Sequence, residues 1–117
     1  MRSRKAVIRE LDKVFGDYIK ARDGRCVTCG SSGPLDASHL VRKARGHYLR
    51  WHPDNVYAQC RRCHMLHHHT SEAPLVLYAE GKLGKARVLH LQQEACTVTQ
   101  YKTYQLEEMI RYWRGKV

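Results

Sequence analysis

Two pairs of cysteines constrain this chain more than any other feature: Cys26 and Cys29 in "CVTCGSSGP", and Cys60 and Cys63 in "QCRRCHMLHHH". Each pair has the CxxC spacing that turns two thiolates toward one ion, and 30 residues separate the pairs. Two such knuckles can complete a tetrahedral zinc site with Zn–S distances of about 2.3 Å, tying a loop to the start of a helix. The competing assignment gives the metal one pair together with His64 or His67 and leaves the other pair free. Redox compartment bears on the choice. The N-terminal stretch "MRSRKAVIRELDKVFGDYIKARDG" is charged throughout and lacks the apolar core of a signal peptide, so a cytoplasmic location is expected. In a reducing compartment, paired cysteines are thiolate ligands before they are disulfides. Cys96 has no partner at useful spacing and reads as a small buried apolar residue.

At 117 residues the chain is long enough for one domain with a modest core, the size at which a metal staple helps most. Its 21 Lys+Arg against 11 Asp+Glu give a formal charge of +10, which favours a polyanionic partner such as nucleic acid. No run approaches the roughly 18 apolar residues of a membrane span. Val7, Leu11, Val14, Phe15, Tyr18 and Ile19 recur at three- and four-residue spacing and predict a helix over residues 4 to 22, broken at Gly24. "PLDASHLV" and "HYLRWHPDNVYAQC" have the short aromatic and β-branched runs of two strands, joined by the basic loop "RKARG". A short helix follows from Arg61 to a break near Thr70 and Ser71, and Pro74 suits the first turn of another. Tyr101, Tyr104, Leu106, Met109, Ile110 and Trp113 predict an amphipathic C-terminal helix packed on the first one. The expected fold is therefore α+β, a single domain over residues 1–117. It divides into an N-terminal helix (1–24), a zinc-stapled core (25–70) and a helical tail (71–117).

If zinc takes the cysteines, the histidines are left to explain. His64 and His68 are four apart on the predicted helix, so their rings project from one face and can grip one cation, while His67 and His69 point elsewhere. Upstream lie His39 in "DASHL" and Asn55 in "HPDN", each with an ordinary alternative as a core histidine and a turn residue.

The arrangement "CVTC … SHL … DNVYAQCRRCH" resembles the His-Asn-His nucleases, whose ββα-metal finger is often propped by a four-cysteine zinc. More closely, the helix leading into "ARDGRCVTCG", the phrase "YLRWHPDNVYAQCRRC" and the helical tail resemble the NinG/Rap recombination endonucleases of lambdoid phages. That resemblance implies a treble-clef-like ββα-metal finger flanked by helices, acting on branched DNA, Holliday junctions and D-loops among them, inside a phage-infected or lysogenic bacterial cell. It makes His39 the general base, Asn55 the brace that orients it, His64 a ligand of the catalytic cation and His68 the second ligand. The residue before the base, commonly Asp or His in the wider group, is Ser38 here, so Asp36 or water is expected to fill that place. NinG-like sequences tend to carry Asn where this chain has His64, which leaves the ligand set and preferred metal open.

The chemistry needs these residue types. Phosphodiester hydrolysis requires an activated water in line with the leaving oxygen and neutralisation of the charge that develops on phosphorus. A neutral histidine can take the water's proton, and a Mg²⁺ or Mn²⁺ ion with open positions can hold the phosphate. Arg42, Lys43, Arg45 and Arg50 lie between the proposed base and Asn55, and Arg2, Arg4, Lys5 and Arg9 crowd the N-terminus. All are candidates for phosphate contact, with DNA recognised by shape. Paired incision across a junction would call for a homodimer. Two rival readings of the same residues are a non-catalytic zinc-stapled DNA-binding module and a zinc-stapled protein-interaction adaptor, neither of which needs His39 or His64.

Overall fold

A computed structural model describes residues 2–42, 46–94 and 100–117, and within them the chain forms six helices and one two-stranded sheet. The first helix, α1 (Arg4–Asp23), starts where Ser3 Oγ accepts the Ala6 amide at 3.1 Å. It ends at Gly24, whose φ of 74° lets its N–H turn back to the Lys20 carbonyl at 2.9 Å. Val7, Leu11, Val14, Phe15 and Ile19 are buried along one side of it, as their spacing predicts. Tyr18 is partly buried at the margin.

The sheet is a hairpin of β1 (Leu35–His39) and β2 (Val56–Cys60), antiparallel, with Leu35 opposite Cys60 and His39 opposite Val56. Alternation divides its side chains between two layers. Ala37, Val56 and Ala58 pack into the core formed with α1 and with α6 (Thr103–Arg114), which contributes buried Leu106 and Ile110. Tyr57 joins a second cluster with Leu40, Leu75, Ala79 and Val88, covered by α4 (Ala73–Leu83) and α5 (Lys85–Glu94). Each large apolar side chain taken fully from water in these two cores stabilises the fold by about 1.5–3 kcal/mol before the cost of ordering the chain.

The expected second strand is only half strand. Residues His47–Arg50 form a one-turn helix, α2, and the extended run begins at Val56. Aromatic content suggested strand, but tertiary contacts decide otherwise. Leu49 is buried and its carbonyl accepts the Asn55 amide at 2.9 Å, while the His47 ring lies 5.0 Å from Trp51 and 6.0 Å from Tyr101. Helix α3 (Arg61–His69) follows β2 without a linker and stops at Thr70, as expected. Pro74 sits in the first turn of α4; the break at Gly84 that separates α4 from α5 was not anticipated.

The C-terminal helix packs on α1 as expected, with the Trp113 ring 4.9 Å from Phe15 and 4.7 Å from Tyr18. Tyr104 departs from expectation and is 58% exposed. At the other end of α1, Arg22 reaches the carbonyls of Pro53 (2.8 Å) and Val56 (2.7 Å), and Asp23 Oδ2 accepts the Ala58 amide at 2.8 Å. The burial that disfavours the Arg22 charge is outweighed by the adjacent Asp23 carboxylate, so its pKa is raised. This pair fixes the helix against β2 immediately before the first knuckle.

Candidate metal centres and the histidine cluster

The four cysteine sulfurs gather from two elements, all within 4.8 Å of one another, the one such group of potential ligands among the described residues. The first knuckle is closed by backbone bonds: the Cys26 amide donates to the Ser31 carbonyl and the Gly30 amide to the Cys26 carbonyl, both at 2.9 Å. Gly30 has φ 80°, a left-handed turn that brings the backbone round behind the thiols. The Val27 amide bonds the Ala58 carbonyl at 2.9 Å, so the knuckle is docked on β2. The second knuckle is the start of α3, with Cys60 at the N-cap and Cys63 in the first turn.

These sulfurs fit zinc. Four ligands about 2.3 Å from a tetrahedral ion stand about 3.8 Å apart, and the Cys29 and Cys60 sulfurs are 3.7 Å apart. Their acidities point the same way. Burial raises the Cys26 thiol, but the Thr28 hydroxyl and amides of Cys60, Cys29 and Thr28 outweigh it and bring it down to about 6. The Thr28 hydroxyl lowers Cys63 too, yet burial and the three neighbouring cysteine side chains push it up to about 12. Four thiols packed this closely cannot all ionise unaided, whereas a divalent cation among them would make thiolates of all four.

Further along α3, His64 and His68 meet: their Nε2 atoms are 3.0 Å apart. Behind His64, Nδ1 donates to Asp36 Oδ2 at 3.1 Å, with Arg61 at 3.6 Å from the other carboxylate oxygen. Burial would raise Asp36, but the hydrogen bond from His64 and the charges of His64 and Arg61 overcome it, and its pKa is lowered. The His64–Asp36 bond puts the hydrogen of a neutral His64 on Nδ1 and its lone pair on Nε2. His68 is held toward its neutral form, first by burial and then by the charges of His64, His67, Arg42 and His69. Two nitrogen ligands about 2.1 Å from one cation and at right angles are about 3.0 Å apart, so the pair could bind one ion through Nε2 of each ring. Asp36 was expected as a ligand itself; its carboxylate is instead bonded to the far side of the His64 ring, an orienting position. On the Asp36 side of His64 lies an open cavity of about 580 Å³ whose lining mixes Lys13, Lys20 and Arg61 with Asp12, Asp17 and Asp36.

His39 ends β1. Its Nε2 lies 2.9 Å from the Arg50 carbonyl, which can only accept, so Nε2 carries the hydrogen and the neutral ring has its lone pair on Nδ1. Asn55 is fully buried and braces the same region. Its Oδ1 accepts the Val41 amide at 2.8 Å, and its Nδ2 donates to the carbonyls of Val41 (3.0 Å) and Leu49 (2.9 Å). It thus clamps the backbone after β1 to α2, one residue before the carbonyl that holds His39. Ser38 is completely buried on the sheet face opposite Ala37, and its Oγ has no hydrogen-bond partner among the described residues. That position is closed to an ion.

The basic residues separate. Arg42 is exposed, whereas Lys43, Arg45 and Cys96 lie outside the described residues. Arg50, expected on the phosphate track, is engaged elsewhere: its guanidinium grips Asp12 through two bonds of 3.0 and 2.5 Å. Arg4 is likewise an internal tie, from α1 to the Tyr101 carbonyl at 2.5 Å, and Arg2 pairs with Glu10. Lys5 and Arg9 are exposed.

His67 was missed. It was expected to point off the useful face and matter little, yet it is the one buried residue of α3, 7% exposed, with Nε2 3.1 Å from the His39 carbonyl. The available signal was Cys63, which must face the first knuckle; a residue four positions on faces the hairpin with it.

Among the described residues no helix is long and apolar enough to cross a membrane. No curated protein and no solved structure matches the chain. A family model does: the one described as "Bacteriophage Lambda NinG protein" matches residues 1–117. With cysteine knuckles, hairpin and flanking helices all inside that match, the chain belongs to the NinG family.

Proposed function

We propose that this protein is a metal-dependent, structure-selective DNA endonuclease of the His-Asn-His type, with residues 25–70 folded as a ββα-metal finger and braced by the N-terminal and C-terminal helices. Its substrates in this reading are branched recombination intermediates such as Holliday junctions and D-loops, as for the Rap-type endonucleases, in the cytoplasm of a phage-bearing bacterial cell. The observation that carries the reading is the convergence of His64 and His68 Nε2 at 3.0 Å. They project from a helix that begins at the cysteine cluster and is bonded to the end of the strand bearing His39. A non-catalytic zinc module needs the cysteines and basic surface but no paired imidazoles backed by a carboxylate.

In this assignment His39, fixed as the Nε2–H tautomer by the Arg50 carbonyl, accepts the water's proton at Nδ1. Asn55 keeps that carbonyl in place through the preceding residue's backbone. His64 and His68 would hold a Mg²⁺ or Mn²⁺ ion, and the Asp36 bond to Nδ1 leaves the His64 lone pair on Nε2 for it. The bound cation would polarise the phosphoryl oxygen and stabilise the departing one.

Incubation with plasmid and with a four-way junction, with Mg²⁺, Mn²⁺ or chelator, tests the reading. Cleavage of the junction that chelator abolishes is expected. His39→Ala should lower the rate by about 10² or more while zinc content, folding and junction affinity persist, since removing a general base typically costs about 10²–10⁴. Wild-type protein that binds junctions and cuts nothing with any divalent cation would make the non-catalytic module the better reading.

A further inference from the structure

The interior of α3 inverts the usual pattern. Met65 and Leu66 are 57% and 42% exposed, while the residue turned into the protein is a histidine, His67. It borders a small cavity of about 190 Å³ whose lining is mixed, Leu66, Pro74 and Leu75 together with Thr28, Gln59 and Ser71. A leucine would leave no polar atom buried here, whereas His67 Nδ1 has no hydrogen-bond partner among the described residues, and burying a nitrogen unpaired is unfavourable. What the imidazole supplies in return is a bond from Nε2 to the main-chain carbonyl of His39, 3.1 Å away.

We propose that His67 is a positioning residue for the cleavage reaction: its Nε2–H sets the distance between the backbone of His39 and the helix that presents His64 and His68. The proposal rests on the reading of His39 as general base. Two side chains and one main-chain carbonyl converge on the end of β1, each fixing a different part of it. The Arg50 carbonyl holds the His39 ring, Asn55 holds the backbone two residues later, and His67 holds the carbonyl of His39 itself. Only the last comes from α3. Without it, the hairpin and the ligand helix are still joined through Cys60 and through the His64–Asp36 bond, but both lie toward the other end of the ladder, where Cys60 pairs with Leu35 and Asp36 with Gln59, not at His39. A shift of the base relative to the cation of about 1 Å is enough to cost about 10²-fold in rate.

Two substitutions separate donor from bulk. His67→Leu fills the space and removes the donor, and His67→Gln places an amide N–H near the position of Nε2. For His67→Leu the expected result is normal zinc content, junction affinity and KM, with the single-turnover rate on a four-way junction lowered about ten- to a hundredfold. His67→Gln should recover most of that loss. A His67→Leu enzyme as fast as wild type, or a His67→Gln enzyme no faster than His67→Leu, would overturn the proposal. Long-range ¹H–¹⁵N spectra of the imidazoles, recorded at about pH 8, test the bond without any cleavage. They should find His67 as the Nε2–H tautomer; the Nδ1–H tautomer would overturn the proposal even if no variant folds. An active His39→Ala protein would refute the base assignment, and a wild type that cuts nothing would refute the reaction; in both cases the spectra still decide whether His67 holds the strand.

Discussion

Helix α3 carries two candidate metal sites, and they are built on opposite plans. At its N-terminal end four sulfurs from two knuckles enclose a point, with backbone bonds on both sides holding them there. One turn further on, two imidazoles meet with one carboxylate behind them. The first set can complete a tetrahedral coordination sphere from protein atoms alone, as structural sites do. The second, with a cation bound, would leave most positions of an octahedral ion to water or substrate, as the proposed catalysis requires. The difference teaches how a small chain could support an open site: a filled closed one would fix the helix, and the helix would fix the open one.

Removing a sulfur should break this comparison most completely. Cys63→Ser is expected to lose the single zinc per chain together with cooperative folding, because structural zinc contributes folding free energy directly, about 10–16 kcal/mol in small zinc-binding peptides. Elemental analysis and circular dichroism on the same preparation check it. A zinc-free protein that melts like wild type would refute the closed-site assignment.

The open site should respond differently. His64→Ala is expected to keep zinc and fold while losing cleavage, with partial recovery at raised Mn²⁺, since a weakened site can still be filled by mass action. Asp36→Asn should be milder, about 10- to 100-fold in Mn²⁺ affinity, the usual scale for a group that orients a metal-bound histidine. Isothermal titration with Mn²⁺ on the zinc-loaded protein measures both. Asp36 also gives a pH signature. Its pKa is below the ordinary 3.8, so its ion pair contributes stability above that value and loses it as pH falls through the lower folded-state value. Asp36→Asn should therefore flatten the acid limb by lowering stability at neutral pH, while leaving it nearly unchanged below the folded-state value, where the carboxylate is already protonated.

These contrasts were unevenly legible in the sequence. The cysteine pairs were plain because metal ligation leaves a spacing that local chemistry dictates, and α1 and α6 were plain because an apolar stripe at helical period has few other uses. The hairpin's second strand was overextended because aromatic residues at His47–Trp51 are shared by strands and by helical turns that bury them; only the Asn55 bonds to Val41 and Leu49 settle which. Asn55 was singled out through the resemblance, but the groups it bonds are main-chain ones, which no sequence pattern names. Arg50 and His67 were misjudged for a common reason. A charged or polar side chain read alone looks solvated, and both are committed to partners distant in the chain, Asp12 and the His39 carbonyl.

The smallest expected effect sharpens the comparison at its edge, where the open site would meet DNA in the proposed reaction. Arg42 is exposed, three residues beyond His39, and close enough for its charge to help hold His68 neutral. If it neutralises one phosphate, Arg42→Ala should reduce the magnitude of d log K/d log[salt] by about 1 and weaken binding almost equally for unrelated sequences. Adding Lys43→Ala and Arg45→Ala should bring the total reduction to about 2–3. The same substitution removes a positive charge near His68, so cation binding at the histidine pair should tighten slightly as DNA binding weakens. A binding assay over a salt series and a Mn²⁺ titration read the two effects separately. A slope unchanged in the triple variant would place this loop away from the phosphates and move the search to Lys5 and Arg9, the exposed cations at the start of α1.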